Sequence, residues 1–249
     1  MQIGIIIQAR LGSTRLKNKM VIPFYDDQSI LQILLSKLQN TIPIVLATTV
    51  APQDDAIEAI AQDFNIPCYR GSEENVLDRF IKAAETYKFD RIIRICADNP
   101  FLDIDLINAL IAASKTNQGV DYISFWTENK TPVIKTHFGF FAELVSISAL
   151  KKVAEQTQNN LFIEHVTNYI YTYPNVFKLK WLELPNFLKS RKDIRLTVDT
   201  EIDFKNGQKI LRDSNKAIEE LKTQEIIEII DNDEALKISM KEEIDKNSK

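Results

Sequence analysis

The sequence predicts an α/β fold: a mostly parallel, doubly wound sheet with helices on both faces. Short apolar runs rich in isoleucine and valine alternate with amphipathic stretches of helical period through the first half of the chain. Strands that alternate with helices of roughly 10 to 15 residues form right-handed β-α-β units around a parallel sheet. A third observation is that polar, partly basic turns follow the carboxyl ends of two of these runs, the edge of such a sheet at which ligands bind.

The first strand falls at residues 2–8, where Ile3-Gly4-Ile5-Ile6-Ile7 is apolar at every position, as a strand covered on both sides must be. Ile30, Leu31, Leu34, Leu35 and Leu38 then recur at helical spacing. Strands follow at 43–48, 66–69 and 91–96. Further helices are carried by Val76, Leu77, Phe80, Ile81 and Ala84, and by Ile104, Ile107, Leu110 and Ile111. After Asp121-Tyr122-Ile123-Ser124 the alternation breaks. Residues 125–137 are polar and irregular, Phe138 to Val145 reads as a strand, 161–173 as a helix and Phe177 to Leu184 as a strand. Because Arg195-Leu196-Thr197-Val198-Asp199-Thr200 returns to a strand followed by a turn, the region of about 125–190 reads as a mixed insertion within one domain spanning 1–249. Helices at about 200–213, 216–230 and 233–240 finish the chain, and 241–249 reads as a charged, frayed tail.

A chain of 249 residues with 45% apolar content builds a real core. No stretch approaches the roughly 20 apolar residues that span a bilayer, and the chain enters a strand without a basic leader, which points to the cytoplasm. The two cysteines, Cys68 and Cys96, stand far apart with no partner motif, which suits a reducing compartment and speaks against a disulfide scaffold or a zinc site. With 31 basic and 35 acidic residues the net charge is −4, so a general nucleic-acid footprint is absent and any anion is bound locally.

One local concentration of charge stands out. Residues 8–19, QARLGSTRLKNK, set Arg10, Arg15, Lys17 and Lys19 around a Gly12-Ser13-Thr14 turn. This is neither a dinucleotide fingerprint nor a P-loop. Its backbone N–H groups can point at an anion and its cations can neutralise phosphates; the alternative is a solvated loop, and its place after the first strand favours the anion. Asp98 and Asp199 each follow an apolar run. Together they supply the oxygen ligands that Mg²⁺ takes when phosphates complete its shell; singly, Asp98 suits a turn with Asn99-Pro100 and Asp199 a helix cap. Beside the cationic loop, the metal reading is the better one. Arg94 and Arg195 flank these acids, where each either holds a substrate carboxylate bidentately or balances the acids.

The segments QARLGSTRLKNK, YRGSEENVLDRF, RICADNPFLD, EHVTNYIY and RLTVDT, spread over residues 1–204, resemble in their order the motifs of cytidylyltransferases of the spore-coat-polysaccharide type, relatives of the CMP-sialate and CMP-Kdo synthetases. The resemblance implies a nucleotide-binding α/β fold with a dimerisation insertion, and a homodimer. It implies transfer of CMP from CTP to a sugar, usually an ulosonic or nonulosonic acid, with release of pyrophosphate, for surface-polysaccharide assembly. By position, Arg10, Gly12, Ser13, Arg15 and Lys19 hold base and phosphates, with Arg70 assisting. Asp98 and Asp199 hold Mg²⁺, and Lys19, Arg15 and Asp98 serve catalysis. Asn99, Glu143, Glu164 and His165, with Arg94 and Arg195, fall to the acceptor side. Two departures are visible. Lys17-Asn18 replaces the family's Pro-Gly, at a turn where asparagine tolerates a left-handed backbone, and Phe140-Phe141 stands where the family tends to show Leu-Asp, which points to an unusual acceptor. Two other functions remain open: a glycosyltransferase of related fold that binds its metal through Asp103-Ile104-Asp105, although Asp103 sits where a helix cap is needed, and a protein that binds nucleotide without turning it over.

Overall fold

The computed structural model describes residues 2–39 and 41–247. In chain order its elements are β1 (Ile3–Gln8), β2 (Pro23–Tyr25), β3 (Gln28–Ser29), α1 (Ile30–Leu38), β4 (Ile44–Thr49), α2 (Asp55–Asp63), β5 (Cys68–Gly71), α3 (Val76–Thr86), β6 (Arg91–Cys96) and α4 (Ile104–Thr116). They continue with β7 (Tyr122–Trp126), β8 (Glu143–Ser146), α5 (Ile147–Gln156), α6 (Asn160–Glu164), α7 (Asn168–Thr172), β9 (Leu179–Glu183), α8 (Glu201–Ser214), α9 (Thr223–Asp231) and α10 (Glu234–Lys246).

Seven strands form one sheet in the order β5-β4-β1-β6-β8-β7-β9. The first four run parallel, β8 lies antiparallel between β6 and β7, and β9 closes the edge parallel to β7. Side chains alternate across a strand, so consecutive isoleucines of β1 serve two cores. Ile5 and Ile7 pack with Leu31, Leu34, Ile93, Leu110, Ile210 and Ile227 on one face, and Ile6 packs with Leu77, Phe80, Ile92 and Val153 on the other. This is the mostly parallel, doubly wound sheet that the alternation predicts. Register brings Gln8 opposite Ala47 of β4 and Cys96 of β6, and sets Glu143 of the antiparallel β8 opposite Arg94. The carboxyl ends of β1, β4 and β6 therefore open on one edge of the sheet.

Capping fixes where the main helices begin. Ser29 Oγ accepts from the Gln32 N–H while the Ser29 N–H donates to Gln32 Oε1 at 2.8 Å, a reciprocal cap for α1. Thr200 and Asp203 cap α8 in the same way.

The structure corrects several boundaries. Residues 138–142 are buried but pair in no ladder, and only Glu143–Ser146 joins the sheet. Gly139 adopts a φ of 72°, which ends the extended run, and a Cβ there would lie 2.7 Å from the Leu196 carbonyl carbon. Residues 195–200 form no strand: the Leu196 N–H donates to the His137 carbonyl at 2.8 Å and the Val198 N–H to the Asp98 carbonyl at 2.9 Å, outside any ladder. The helix expected over 161–173 is broken into α6 and α7 around Val166 and Thr167, which turn inward. The helix expected from 216 starts only at Thr223, where Lys222 and Glu225 form its cap, and α8 before it ends at Asn215, which takes a left-handed φ of 51°. The charged end 241–247 is not frayed: α10 runs to Lys246, Met240 is fully buried, and buried Glu243 accepts from the Thr200 hydroxyl at 2.8 Å. Residues 248 and 249 of that expected tail lie outside the described residues. The short β2–β3 hairpin and α2 were not singled out by the apolar pattern, and β7 extends the run that opens at Asp121.

Candidate functional site

Where β1 ends, the chain is held by a carboxylate it meets only in three dimensions. Asp54 is fully buried and accepts from the Leu11 N–H at 2.8 Å and from the N–H and hydroxyl of Thr49, fastening the loop after β1 to the end of β4. Asn18 then takes a φ of 56°, and its carbonyl accepts from Val21 N at 2.9 Å and Ile22 N at 3.2 Å. Asparagine thus supplies the left-handed turn at this position, and the turn sends Lys19 inward to 7% exposure.

There Lys19 Nζ donates to the Val198 carbonyl at 2.6 Å and lies 3.6 Å from the Asp98 carboxylate and 3.5 Å from that of Asp199. Arg15 Nη2 donates to Asp199 Oδ1 at 2.9 Å from the solvent side. Two acids, one from the end of β6 and one from the turn before α8, are thereby gathered around a buried ammonium.

These groups line a cavity of about 440 Å³. Of the residues singled out in the sequence, Arg10, Gly12, Ser13, Arg15, Lys19, Arg94, Asp98, Glu164, His165 and Asp199 all line it. Glu164 and His165 are exposed at its rim, at the end of α6.

Four expected residues do not reach this cavity. Arg70 braces the chain after β4: Nε donates to the Thr49 carbonyl, Nη2 to the Ala51 carbonyl, and Nη1 to Asp55 and Glu58. Arg195 is 1% exposed and clamps Asp203 with two bonds, Nε to Oδ1 at 2.6 Å and Nη2 to Oδ2 at 2.8 Å. Its Nη1 donates to His137 Nδ1 at 2.7 Å, which fixes that ring nitrogen as the acceptor because a guanidinium has no acceptor to offer. Arg195 balances acids and has no fork left for a substrate carboxylate. Glu143, 1% exposed, accepts from Arg94 Nη1 at 2.8 Å, from the Tyr122 hydroxyl and from the Thr167 hydroxyl. It therefore positions Arg94. Asn99 lines a smaller neighbouring pocket together with Glu143. Asp103 of the Asp-x-Asp triplet caps α4, accepting from Asp105 N at 2.8 Å and Leu106 N at 3.2 Å, and lines neither pocket.

Burial and the Glu143 charge together push the Tyr122 hydroxyl well above its ordinary range, so it remains a proton donor to that carboxylate. Burial works against the Arg94 cation, but Cys96 and Glu143 outweigh it and hold the guanidinium charged.

Asp98 and Asp199 offer only carboxylate oxygens, the donors that a hard divalent cation takes together with phosphate oxygens and water. Among the described residues no group of three or more histidine, cysteine or acidic side chains is gathered that could hold a metal ion. The residues present fit an ion that arrives with a polyphosphate and completes its shell from it.

Asp54 and Asp203 were missed in the sequence. The Thr200-x-x-Asp203 spacing of a capping box directly after Val198-Asp199 was the available signal for Asp203. Asp54 has no local signal, since its partners sit on other elements.

The model of a family described as cytidylyltransferase matches residues 4–238. The spore coat polysaccharide biosynthesis protein SpsF of Bacillus subtilis is 36% identical over 211 residues, 81% of this chain and 82% of that one. Among solved structures, a cytidylyltransferase from Leptospira borgpetersenii superposes with a TM-score of 0.82 at 29% identity, over 95% of this chain and 96% of that one. A CMP:2-keto-3-deoxy-manno-octonic acid synthetase complexed with CTP shares the fold at a TM-score of 0.64 and 12% identity, over 86% of this chain and 99% of that one.

Proposed function

The chain belongs to the cytidylyltransferase family, and on that premise we propose that it transfers CMP from CTP to a hydroxyl of a sugar acid of the ulosonic or nonulosonic type, releasing pyrophosphate, in surface-polysaccharide assembly. One observation carries the reading: Lys19 and Arg15 converge on Asp98 and Asp199 at the carboxyl edge of the sheet, in a cavity that the Gly12-Ser13 turn also lines.

The chemistry asks for positioning and neutralisation. The acceptor oxygen attacks the α-phosphorus in line, its bond to phosphorus forms as the α–β bridging bond breaks, and charge grows on the equatorial oxygens and on the departing pyrophosphate. Arg10, Arg15 and the N–H groups of the 12–14 turn would hold the triphosphate, and Lys19 would neutralise the charge that develops. Asp98 and Asp199 would hold Mg²⁺, which when bound supplies a further positive charge at the phosphates. Arg94, with one of its nitrogens on Glu143, would meet the acceptor carboxylate from the cavity wall, with Glu164 and His165 at the rim. A neighbour of the same fold complexed with CTP supports cytidine as the base.

Among the described residues no helix is long and apolar enough to cross a membrane. We place the enzyme in the cytoplasm as a homodimer, with 1–249 as one domain and the region of about 125–190 serving acceptor and dimer contacts. The exposed Leu161 and Tyr173, beside Phe162 and Tyr169 on α6 and α7, offer an apolar face for the second copy.

The test is pyrophosphate release with CTP, ATP, GTP and UTP in turn, with and without Mg²⁺, against eight- and nine-carbon keto-sugar acids and neutral sugars. The expected result is release that requires CTP, Mg²⁺ and one sugar acid. Silence with every acceptor, or equal rates with all four nucleotides, would overturn the reading.

A further inference from the structure

Beside the main cavity lies a second of about 70 Å³ that shares Cys96 and Asp98 with it. Two oxygens in its walls have no partner: Asn99 Oδ1 and Thr197 Oγ1 are buried and unbonded, on residues only 6% and 7% exposed. Their juxtaposition follows from the fold. The Val198 N–H donates to the Asp98 carbonyl at 2.9 Å, so Asn99 and Thr197 each stand one residue from an end of that bond. Buried polar atoms are paired in nearly all native structures, and an unpaired couple facing one pocket marks a place where a ligand or water completes the bonding.

The charge in the pocket narrows what that ligand is. Its charged members are Asp98 and Glu143, and Glu143 is already bonded to Arg94, Tyr122 and Thr167. No cation lines it. Lys19 answers Asp98 from the main cavity, so a carboxylate entering here would meet the Asp98 and Glu143 carboxylates with no cation of its own in the lining, whereas a hydroxyl or amide group can hydrogen-bond the orphan oxygens. The remaining wall is mostly apolar, with Val133, Ile134, Phe141 and Ala142, and its one further hydroxyl, that of Thr136, donates to the Val133 carbonyl. Gly139 allows the 137–142 segment to lie against the Leu196 backbone and so closes the pocket on that side. A volume of about 70 Å³ is several times the roughly 10–15 Å³ that one water needs by the same kind of measure, enough for a small substituent but not a sugar ring.

We propose that this pocket is the acceptor-specificity site: it seats a small uncharged hydrogen-bonding substituent of the acceptor, a hydroxymethyl or N-acyl group, between Asn99 and Thr197, and it refuses a carboxylate. The assignment rests on the reading of the main cavity as the nucleotide site. It orients the acceptor, with the uncharged substituent buried beside Asp98 and the acid group left on the Arg94 side.

Acetamide and acetate are probes of the same shape that differ in charge. Each is titrated into ¹⁵N-labelled protein saturated with CTP, reading the Asn99 side-chain amide, which is identified by its loss in Asn99→Ala. Acetamide is expected to move that signal saturably and acetate to leave it in place. Thr197→Val is expected to weaken acetamide about tenfold, the effect of one hydrogen bond, with the CTP affinity and the thermal transition unchanged. Acetate binding as well as acetamide, or neither moving the Asn99 amide, would overturn the proposal. A second arm separates it from the reading it rests on. If acetamide behaves as stated while no sugar acid releases pyrophosphate, the acceptor class of the main reaction falls and the pocket stands. If a sugar acid turns over with the same KM in Thr197→Val as in the wild type, the pocket assignment falls alone.

Discussion

Lys19 Nζ stands 3.5 Å from Asp199 Oδ1, and through that pair the loop after β1 is bound to the turn that starts α8. The same ammonium is 3.6 Å from Asp98 and donates to the Val198 carbonyl. In the free protein a side-chain cation therefore occupies the space between the two carboxylates that a divalent ion would claim. Without it, Asp199 would keep Arg15 at 2.9 Å and Arg195 at 3.6 Å, while the half-buried Asp98 would lose the cation beside it.

If Asp98 and Asp199 hold the metal as proposed, Lys19 would compete with it until a polyphosphate arrives to draw the ammonium away. Mg²⁺ alone at millimolar concentration is expected to leave the thermal transition in place, whereas Mg²⁺ with CTP at about 100 times its Kd should add about 2.7 kcal/mol. In Lys19→Met the apo protein loses about 1–3 kcal/mol, Mg²⁺ alone now restores part of it, and turnover falls roughly 10²- to 10³-fold. Differential scanning calorimetry with and without each ligand decides this. A wild-type protein stabilised as strongly by Mg²⁺ alone as by Mg²⁺ with CTP would show that Lys19 does not guard the site.

The two acidic clusters near the end of β6 separate by function. Asp98→Asn is expected to abolish pyrophosphate release while leaving the fold intact, because Asp98 lines the cavity and is 28% exposed. Asp103→Ala removes a helix cap that also accepts from the Thr223 hydroxyl, so it should lower stability by about 1–2 kcal/mol with kcat retained. Paired kinetics and urea unfolding of the two variants check this. Loss of kcat in folded Asp103→Ala would move the metal site to the Asp-x-Asp triplet.

How much of this was legible in the sequence depends on how local each cause is. The Ile3–Ile7 run and the periodic helices α1, α3 and α4 follow from spacing alone, and the cationic loop could be assigned to the sheet edge from its place after β1. Asn18 could be foreseen as left-handed because that tolerance belongs to the residue type. Residues 138–142 could not: five mostly apolar residues look like a strand, and only the packing of Gly139 on Leu196 excludes one. Charge partners were the least legible. Arg195 looks like a carboxylate clamp until Asp203, one helical turn beyond Asp199, takes both arms of its fork. Glu143 looks available until β8 sets it opposite Arg94 and the break between α6 and α7 brings in Thr167. A sequence gives the charge of such residues; which partner answers it is decided by elements far along the chain.

That buried pair makes a prediction of its own. Asp203→Asn would leave Arg195 without its bidentate partner and weaken the cap of α8, where Asp203 also accepts from the Asp199 and Thr200 N–H groups. Removing one member of a buried ion pair costs about 3–5 kcal/mol, which in a chain of this size corresponds to a melting temperature lower by about 10 °C. Because Asp199 stands on that cap, residual enzyme should also bind Mg²⁺ and CTP more weakly. A melting temperature within a degree or two of the wild type would mean that Arg195 finds its compensation elsewhere, with Asp199 at 3.6 Å as the candidate.

Lys37 on α1 provides a pH test remote from the main cavity. Burial lowers its pKa from 10.5 to about 8, with Asp103 and Glu219 offsetting only part of the effect. The folded pKa lies below the unfolded one, so the unfolded chain holds the proton more tightly and folding is disfavoured wherever Lys37 must be charged. The cost is fully present below pH 8 and is relieved as pH rises from about 8 to 10.5, where the wild type should gain stability relative to a variant without the charge. Lys37→Met, which keeps the apolar stem, is expected to be more stable than the wild type by on the order of 2–3 kcal/mol at pH 7, with the advantage gone near pH 10.5. The comparison must be a difference between the two proteins, because the half-buried Cys68 thiol, pushed up to about 11, makes both lose stability over the upper part of the same range. Urea midpoints at pH 7, 8.5 and 10 measure that difference. A gap that stays constant across the three would mean that Lys37 keeps its ordinary affinity for the proton, and that Asp103 and Glu219 compensate its burial in full.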